Sequence, residues 1–507
     1  MSSSSTPASG STPDHTTHEN VLLALVCVAQ FMVVLDVSIV NVALPDIGRS
    51  LNYSTTGLQW VVNAYVLTFA GFLLLGGRAA DLFGRRRVFL AGLGLFTLAS
   101  LLGGLAQSSA ELTAARAAQG FGGAVLSPAT LTIIMTTFSE GPKRHRALGA
   151  WSAVAGAGGA FGVILGGVLT STLSWRWVLF VNVPIGVLAA VAAGRFLTER
   201  KRPDAGRNLD IVGAVLVTLG LAIGVYAIVG TDTHPWGSGR TLGLLAVSVV
   251  LLTAFVYGQA RIAKAPLMPL SLFRSRFVTG ANVVMLLMGV IFFSMWYFLS
   301  LYLQEVYGDG PLKTGLLFLP MSFGIIIGAQ ISARVIGRSG PRGLLLVGIV
   351  LMIVGFAWLG HSSSSGYAAG VLGPTLLITV GVGLCFTPLA TAATTGVHWS
   401  QAGLASGVLN TSRQVGGSLG LAILATVASA RTRSLPGGLG SFGGHGEAYR
   451  TALAAGYDRA FTISAGVALA ALLATFIIPA RVRKAESRAP AAPADDVPSA
   501  VASEHRA

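Results

Sequence analysis

The run VLLALVCVAQFMVVLDVSIVNVAL, residues 21–44, carries one charged side chain, Asp36. At 24 residues it exceeds the ~20 apolar residues that take a helix through the hydrocarbon of a bilayer. A charged carboxylate at that depth costs at least ~2.5 kcal/mol, so Asp36 must face packed protein or a watery interior. An acid in such a place is functional by default, which makes Asp36 a candidate proton site. The plainer alternative is a carboxylate that only bridges neighbouring helices.

The rest of the chain extends that reading. Charged residues are 10% of the 507, hydrophobic residues 53%, and mean hydropathy is +0.72, far from the quarter or so of charged residues in soluble domains. Most of the chain therefore belongs in lipid. Further apolar runs lie at about 57–77, 88–106, 112–137, 147–170, 177–197, 209–230, 240–260, 277–303, 313–333, 343–360, 367–394, 402–430 and 457–480, which with the first predicts fourteen spans. The fold class expected is an all-α integral membrane protein. Residues 1–20 lack Lys and Arg, so they do not read as a cleaved signal peptide but as a flexible cytoplasmic tail before a retained helix. Residues 485–507, rich in Ala and Pro, read as a second disordered cytoplasmic tail.

The net charge of +15 has a topological meaning. With both termini inside, 24 of the 34 basic residues fall in cytoplasmic segments, among them Lys143, Lys201, Arg274, Arg338, Arg481 and Lys484, and 8 fall outside. The uncharged amino tail and Arg49 beyond the first span go against the trend, but the total outweighs them. No nucleic-acid partner is implied. All eight histidines lie in tails, loops or span ends, so no buried cluster suggests a metal, a cofactor or an intramembrane enzyme. Cys27 and Cys385 sit in spans as small hydrophobes. No G-x-x-x-x-G-K-[ST] loop occurs, so ATP is not the energy source expected here.

Polar residues inside or between spans mark the chemistry. GGRAADLFGRRRVFLAG, residues 76–92, packs Asp81 and three arginines into a short connection, where an acid at a helix end can pair with an arginine and latch neighbouring helices. Its Gly77, Asp81, Gly84, Arg85, Arg86 and Arg87 match the first-half loop motif of the major facilitator superfamily, which the chain resembles. ARVIGRSGPRGLLLVG, residues 333–348, is a degenerate echo in which Arg334 takes the place of Asp81, as in a diverged half-repeat.

In the fourth span Arg116 and Gln119 share a helix face beside Gly120, Gly122 and Gly123. Arg116 either snorkels to the surface or pairs with a carboxylate. The residues match a family motif, Leu-x-x-x-Arg-x-x-Gln-Gly, and the resemblance implies a part in proton coupling. Gly158, Gly162, Gly166 and Gly167 in the fifth span resemble the family's exporter stripe, with Val163 in place of the usual proline. The first three make a smooth face on which that helix is expected to slide against a helix of the second half. SWRWVLFVNVP (174–184), with Trp175 and Trp177 in an expected aromatic belt beside Arg176, and LDVSIVNVALP (35–45) resemble the fourteen-helix drug:proton antiporter branch, the EmrB/QacA type.

That resemblance implies a major facilitator fold of two six-helix bundles, 21–200 and 265–484, joined by a segment, 201–264, with two inserted helices. It implies a plasma-membrane exporter of small amphipathic compounds driven by proton influx, with Asp36 and Arg116 in coupling. Asn41, Gln119, Trp296, Asn410, Arg413 and Gln414 are candidates to line the substrate cavity. Arg413 and Gln414 read equally well as helix bridges, and Trp296 as a lipid contact. The partners expected are a small-molecule substrate, protons and the bilayer, with the chain monomeric. The alternatives are an exporter of one endogenous metabolite or self-made antibiotic, a proton-coupled importer, and a membrane enzyme or sensor that transports nothing.

Overall fold

Every predicted apolar run is a helix in the structure, a computed structural model that describes residues 14–138, 141–197, 209–361, 366–398, 401–436 and 446–480. The helices are α1 (Asp14–Ser50), α2 (Trp60–Phe83), α3 (Arg85–Leu105), α4 (Ser109–Thr137), α5 (Pro142–Thr172), α6 (Trp177–Phe180), α7 (Asn182–Phe196) and α8 (Ile211–Val229). They continue with α9 (Gly239–Tyr257), α10 (Arg276–Leu301), α11 (Pro311–Leu317), α12 (Leu319–Leu359), α13 (Gly373–Thr394), α14 (Ala402–Arg433) and α15 (Glu447–Ala474). No strand occurs among the described residues. Twelve helical stretches are long and apolar enough to cross a membrane. One of them, Pro311–Leu359, holds two predicted spans on either side of a break at Gly340 (φ 69°), and α5 supplies the remaining one. The tails, the basic linker around Lys201, the loop at 437–445 and the cluster from Arg481 to Lys484 lie wholly or largely outside the described residues.

Local chemistry sets the helix starts. Ser108 accepts from the Glu111 amide (3.3 Å) while the Glu111 carboxylate accepts from the Gln107 amide (2.7 Å), a reciprocal cap for α4. Asp210 caps α8 by accepting from Gly213 N (2.8 Å). Between α2 and α3, Gly84 takes φ 95°, a turn that any Cβ would strain.

Packing repeats along the chain. α1 lies on α5 and both α2 and α3 lie on α4; in the second half α10 lies on α14 and α12 on α13. Small residues permit this closeness, since a Cβ at Gly122 would stand 2.8 Å from Phe96 N, and one at Gly383 would stand 2.8 Å from Ala329 N. The inserted helix α8 packs on α9, α2 and α14. Gln259, just past α9, donates to the Asp210 carboxylate and accepts from Met268 N (3.0 Å), tying both inserted helices to the chain that follows.

The two halves meet where α1 and α10 end. Arg49 bridges Asp46 (2.7 Å) and, across the halves, Glu305 (3.0 Å). Ser300 Oγ donates to the Asn41 carbonyl (2.7 Å) and Gln304 Nε2 to the Val42 carbonyl (2.9 Å). Beside them a Cβ at Gly315 would stand 2.6 Å from Val163 O, and one at Gly167 would stand 2.7 Å from Pro311 O.

Candidate proton and substrate site

Asp36 is completely buried, as expected of an acid that lipid would reject, and two helices, α4 and α7, supply its donors. Oδ2 accepts from Arg116 Nη1 on α4 (2.5 Å), while Oδ1 accepts from Gln119 Nε2 on α4 (2.6 Å) and Asn182 Nδ2 on α7 (3.0 Å). Arg116 is 2% exposed and does not snorkel. Its Nη1 also donates to Gln119 Oε1 (2.6 Å) and its Nε to the Val61 carbonyl (3.0 Å), and its guanidinium lies 4.5 Å over the Tyr65 ring. Gln119 Nε2 donates as well to Ser100 Oγ (2.7 Å).

The carboxylate thus faces donors only, an arrangement matched to its ionised form, and the pair is neutral as a unit. A proton on Asp36 would leave Arg116 charged beside a neutral acid. Removing one partner of a buried pair of this kind costs about 3–5 kcal/mol.

The glycine stripe supports this site from an unexpected side. Gly158, Gly162 and Gly166 face α1, not a helix of the second half: a Cβ at Gly158 would stand 3.2 Å from Val34 Cβ, one at Gly162 would strike Ser38 Oγ and stand 3.0 Å from Leu35 O, and one at Gly166 would stand 2.7 Å from Ile39 O. Ser38 Oγ also donates to Gly158 O (3.2 Å). Four-residue spacing aligns the glycines on one face, and α1 is the helix that needs the room. The contact across the halves belongs to Gly167 and Val163.

Where α2 turns into α3, Arg86 donates to the Gly194 carbonyl (2.6 Å), Arg85 and Arg87 are both engaged, and Gly77 of α2 approaches Pro128. The side chain of Asp81, on which the latch depends, lies outside the described residues. The echo is offset by three residues from its sequence register. Gly340, not Gly337, takes the left-handed backbone that Gly84 takes, so Arg334 does not stand where Asp81 does.

On the second half, Arg413 donates to Asn410 Oδ1 (2.7 Å) on its own helix and lies 5.9 Å over Phe386 of α13. Phe386 meets Phe292, Phe292 meets Trp296, and Trp296 meets Phe318, with centroids 6.1, 6.4 and 5.2 Å apart. Trp296 is therefore a partly buried member of an aromatic row that runs from α13 through α10 to Phe318. Gln414 is buried with Oε1 lacking a partner among the described residues, and Asn41 turns its amide back to the Val37 carbonyl (2.8 Å). In the SWRWVLFVNVP stretch Trp175 is buried under Arg176, whereas Trp177 is exposed as a belt residue should be. Among the described residues no group of His, Cys, Asp and Glu is placed to hold a metal ion.

Asn182, Ser100 and Tyr65 were not singled out by sequence reasoning. Asn182 lies in the SWRWVLFVNVP stretch, where an amide within an apolar run is a usable signal.

A family model described as Major Facilitator Superfamily matches residues 26–421. The chain is 46% identical over 430 residues to the cephamycin export protein CmcT of Amycolatopsis lactamdurans, covering 84% of this chain and 88% of that protein. It is 38% identical over 469 residues to the puromycin resistance protein pur8 of Streptomyces alboniger, 92% of each, and 37% identical over 414 residues to the tetracenomycin C resistance and export protein of Streptomyces glaucescens, 81% and 76%. Among solved structures, an occupied, inward-facing bacterial homologue of the human lysosomal transporter Spinster superposes with TM-score 0.66 at 16% identity, covering 95% of this chain and all of that one, a likeness of fold.

Proposed function

The chain belongs to the Major Facilitator Superfamily, and from that premise we propose that it exports small amphipathic compounds, antibiotics among them, in exchange for protons, and so confers resistance. The observation that carries the proton part is Asp36, fully buried and held by Arg116, Gln119 and Asn182. The two halves, 21–200 and 265–484, act as bundles that rock about a midplane cavity, with α8 and α9 between them in the chain. Protonation of Asp36 favours one arrangement; loss of the proton to the cytoplasm and binding of substrate favour the other. The membrane potential adds about 2.3 kcal/mol per charge per 100 mV. The loop from Gly77 to Arg87 acts as the latch between arrangements. The protein works as a monomer in the plasma membrane with both termini cytoplasmic, a reading supported by the distribution of basic residues.

The test is substrate-induced proton release from everted vesicles. Asp36→Asn keeps the size of the side chain and removes its titration, so the variant should reach the membrane in normal amount and release no protons. Proton-driven efflux at the normal rate by this variant would place coupling elsewhere. A second reading, a dedicated exporter of one self-made antibiotic, is favoured by the export functions in the names of two relatives. A resistance panel in a pump-deficient host, with and without an uncoupler, separates the two.

A further inference from the structure

Arg116 and Arg413 both lie inside spans, and they are treated differently. Arg116 has Asp36 at 2.5 Å. Arg413, half-buried on α14, is ion-paired with no Asp or Glu among the described residues; its hydrogen-bond partner is a neutral amide, and its Nε is buried without a partner among the described residues. An uncompensated cation in a span is costly, and function is the usual reason that one is kept. Its surroundings point inward. α14 is wrapped by α10, α15, α2, α8 and α13, and the guanidinium rests on Phe386, the first ring of the aromatic wall. In that wall Phe386, Phe292 and Trp296 are each only partly covered, on helices most of whose residues are buried.

We propose that Arg413 and the Phe386–Phe292–Trp296 wall form a binding site for an amphipathic organic anion, a carboxylate or sulfonate on an aromatic body. The guanidinium, oriented by Asn410, donates to the anionic head, whose charge balances it. The rings take the body edge-on or face-on. This names the substrate class of the exporter proposed above and rests on that reading.

The experiment uses the full chain in detergent and two probes of one shape, naphthalene-2-sulfonate and the neutral naphthalene-2-sulfonamide, measured by equilibrium binding. The purified protein should prefer the sulfonate by about tenfold or more, the scale of a charge-assisted hydrogen bond. Arg413→Gln should bring the two probes to within about twofold, Arg413→Lys should keep part of the preference, and Trp296→Ala should weaken both alike. Equal binding of the probes by the unaltered protein, binding of neither, or an undiminished preference in a folded Arg413→Gln protein would overturn the site. Asp36→Asn separates this from the coupling proposal, because it should keep the preference for the sulfonate while losing proton exchange. Retained exchange with a retained preference would sink coupling at Asp36 and leave the anion site standing.

Discussion

Truncating Arg116 to alanine leaves Asp36 fully buried with two amide donors and an uncompensated charge. The loss should be about 3–5 kcal/mol of stability, seen as a lower melting temperature in detergent. Adding Asp36→Asn to Arg116→Ala should recover most of that loss, because a neutral amide no longer needs the cation, yet exchange should stay absent. A double variant that melts no higher than Arg116→Ala would mean that the ion pair is not what holds these helices. This much was legible in the sequence, since Asp36 and Arg116 are the kind of residues that an apolar run cannot leave unpartnered. Asn182 was not legible in that way. It reaches Asp36 across 146 residues of chain, and only the packing of α7 on α1 decides that its amide faces the carboxylate.

Helix α5 presents two faces with separate duties. Gly162→Leu should drive α5 from α1 at Ser38 and Leu35, next to Asp36, so protein yield and exchange should fall together, with an overpacking cost of about 1–3 kcal/mol. Gly167→Leu meets Pro311 and Leu312 of the other half and should cut exchange more than the amount of protein in the membrane. Transport normalised to membrane protein distinguishes them, and equal behaviour of the two variants would discard the division. The four-residue spacing revealed the stripe but not its partner, because spacing defines a face and says nothing of what lies opposite. Backbone geometry was hidden in the same way. Gly337→Ala should be nearly neutral, whereas Gly340→Ala, at φ 69°, should cost about 1–2 kcal/mol in thermal unfolding. The reverse order would restore the sequence register of the echo.

At the scale of the whole molecule, the all-helical class followed from hydropathy, because bilayer thickness dictates segment length whatever the sequence. Which helices touch did not follow, since lipid and neighbouring helices are similarly apolar. In a background carrying Cys27→Ala and Cys385→Ala, an impermeant thiol reagent applied to intact cells should label cysteines placed within 431–449 and spare one at 201; the opposite pattern would invert the topology. Joining Arg49→Cys to Glu305→Cys with a short bifunctional reagent should hold the α1 and α10 ends together and stop exchange, and continued exchange would show that this contact never parts. The seal at that end also bears on how such a pump can change. Ser300 and Gln304 donate to main-chain carbonyls of α1, at Asn41 and Val42, and a carbonyl is present whatever side chain sits there. A change of side chain at Asn41 therefore leaves both hydrogen bonds of the closure in place, while mutations that retune how readily it opens should accumulate at Ser300 and Gln304.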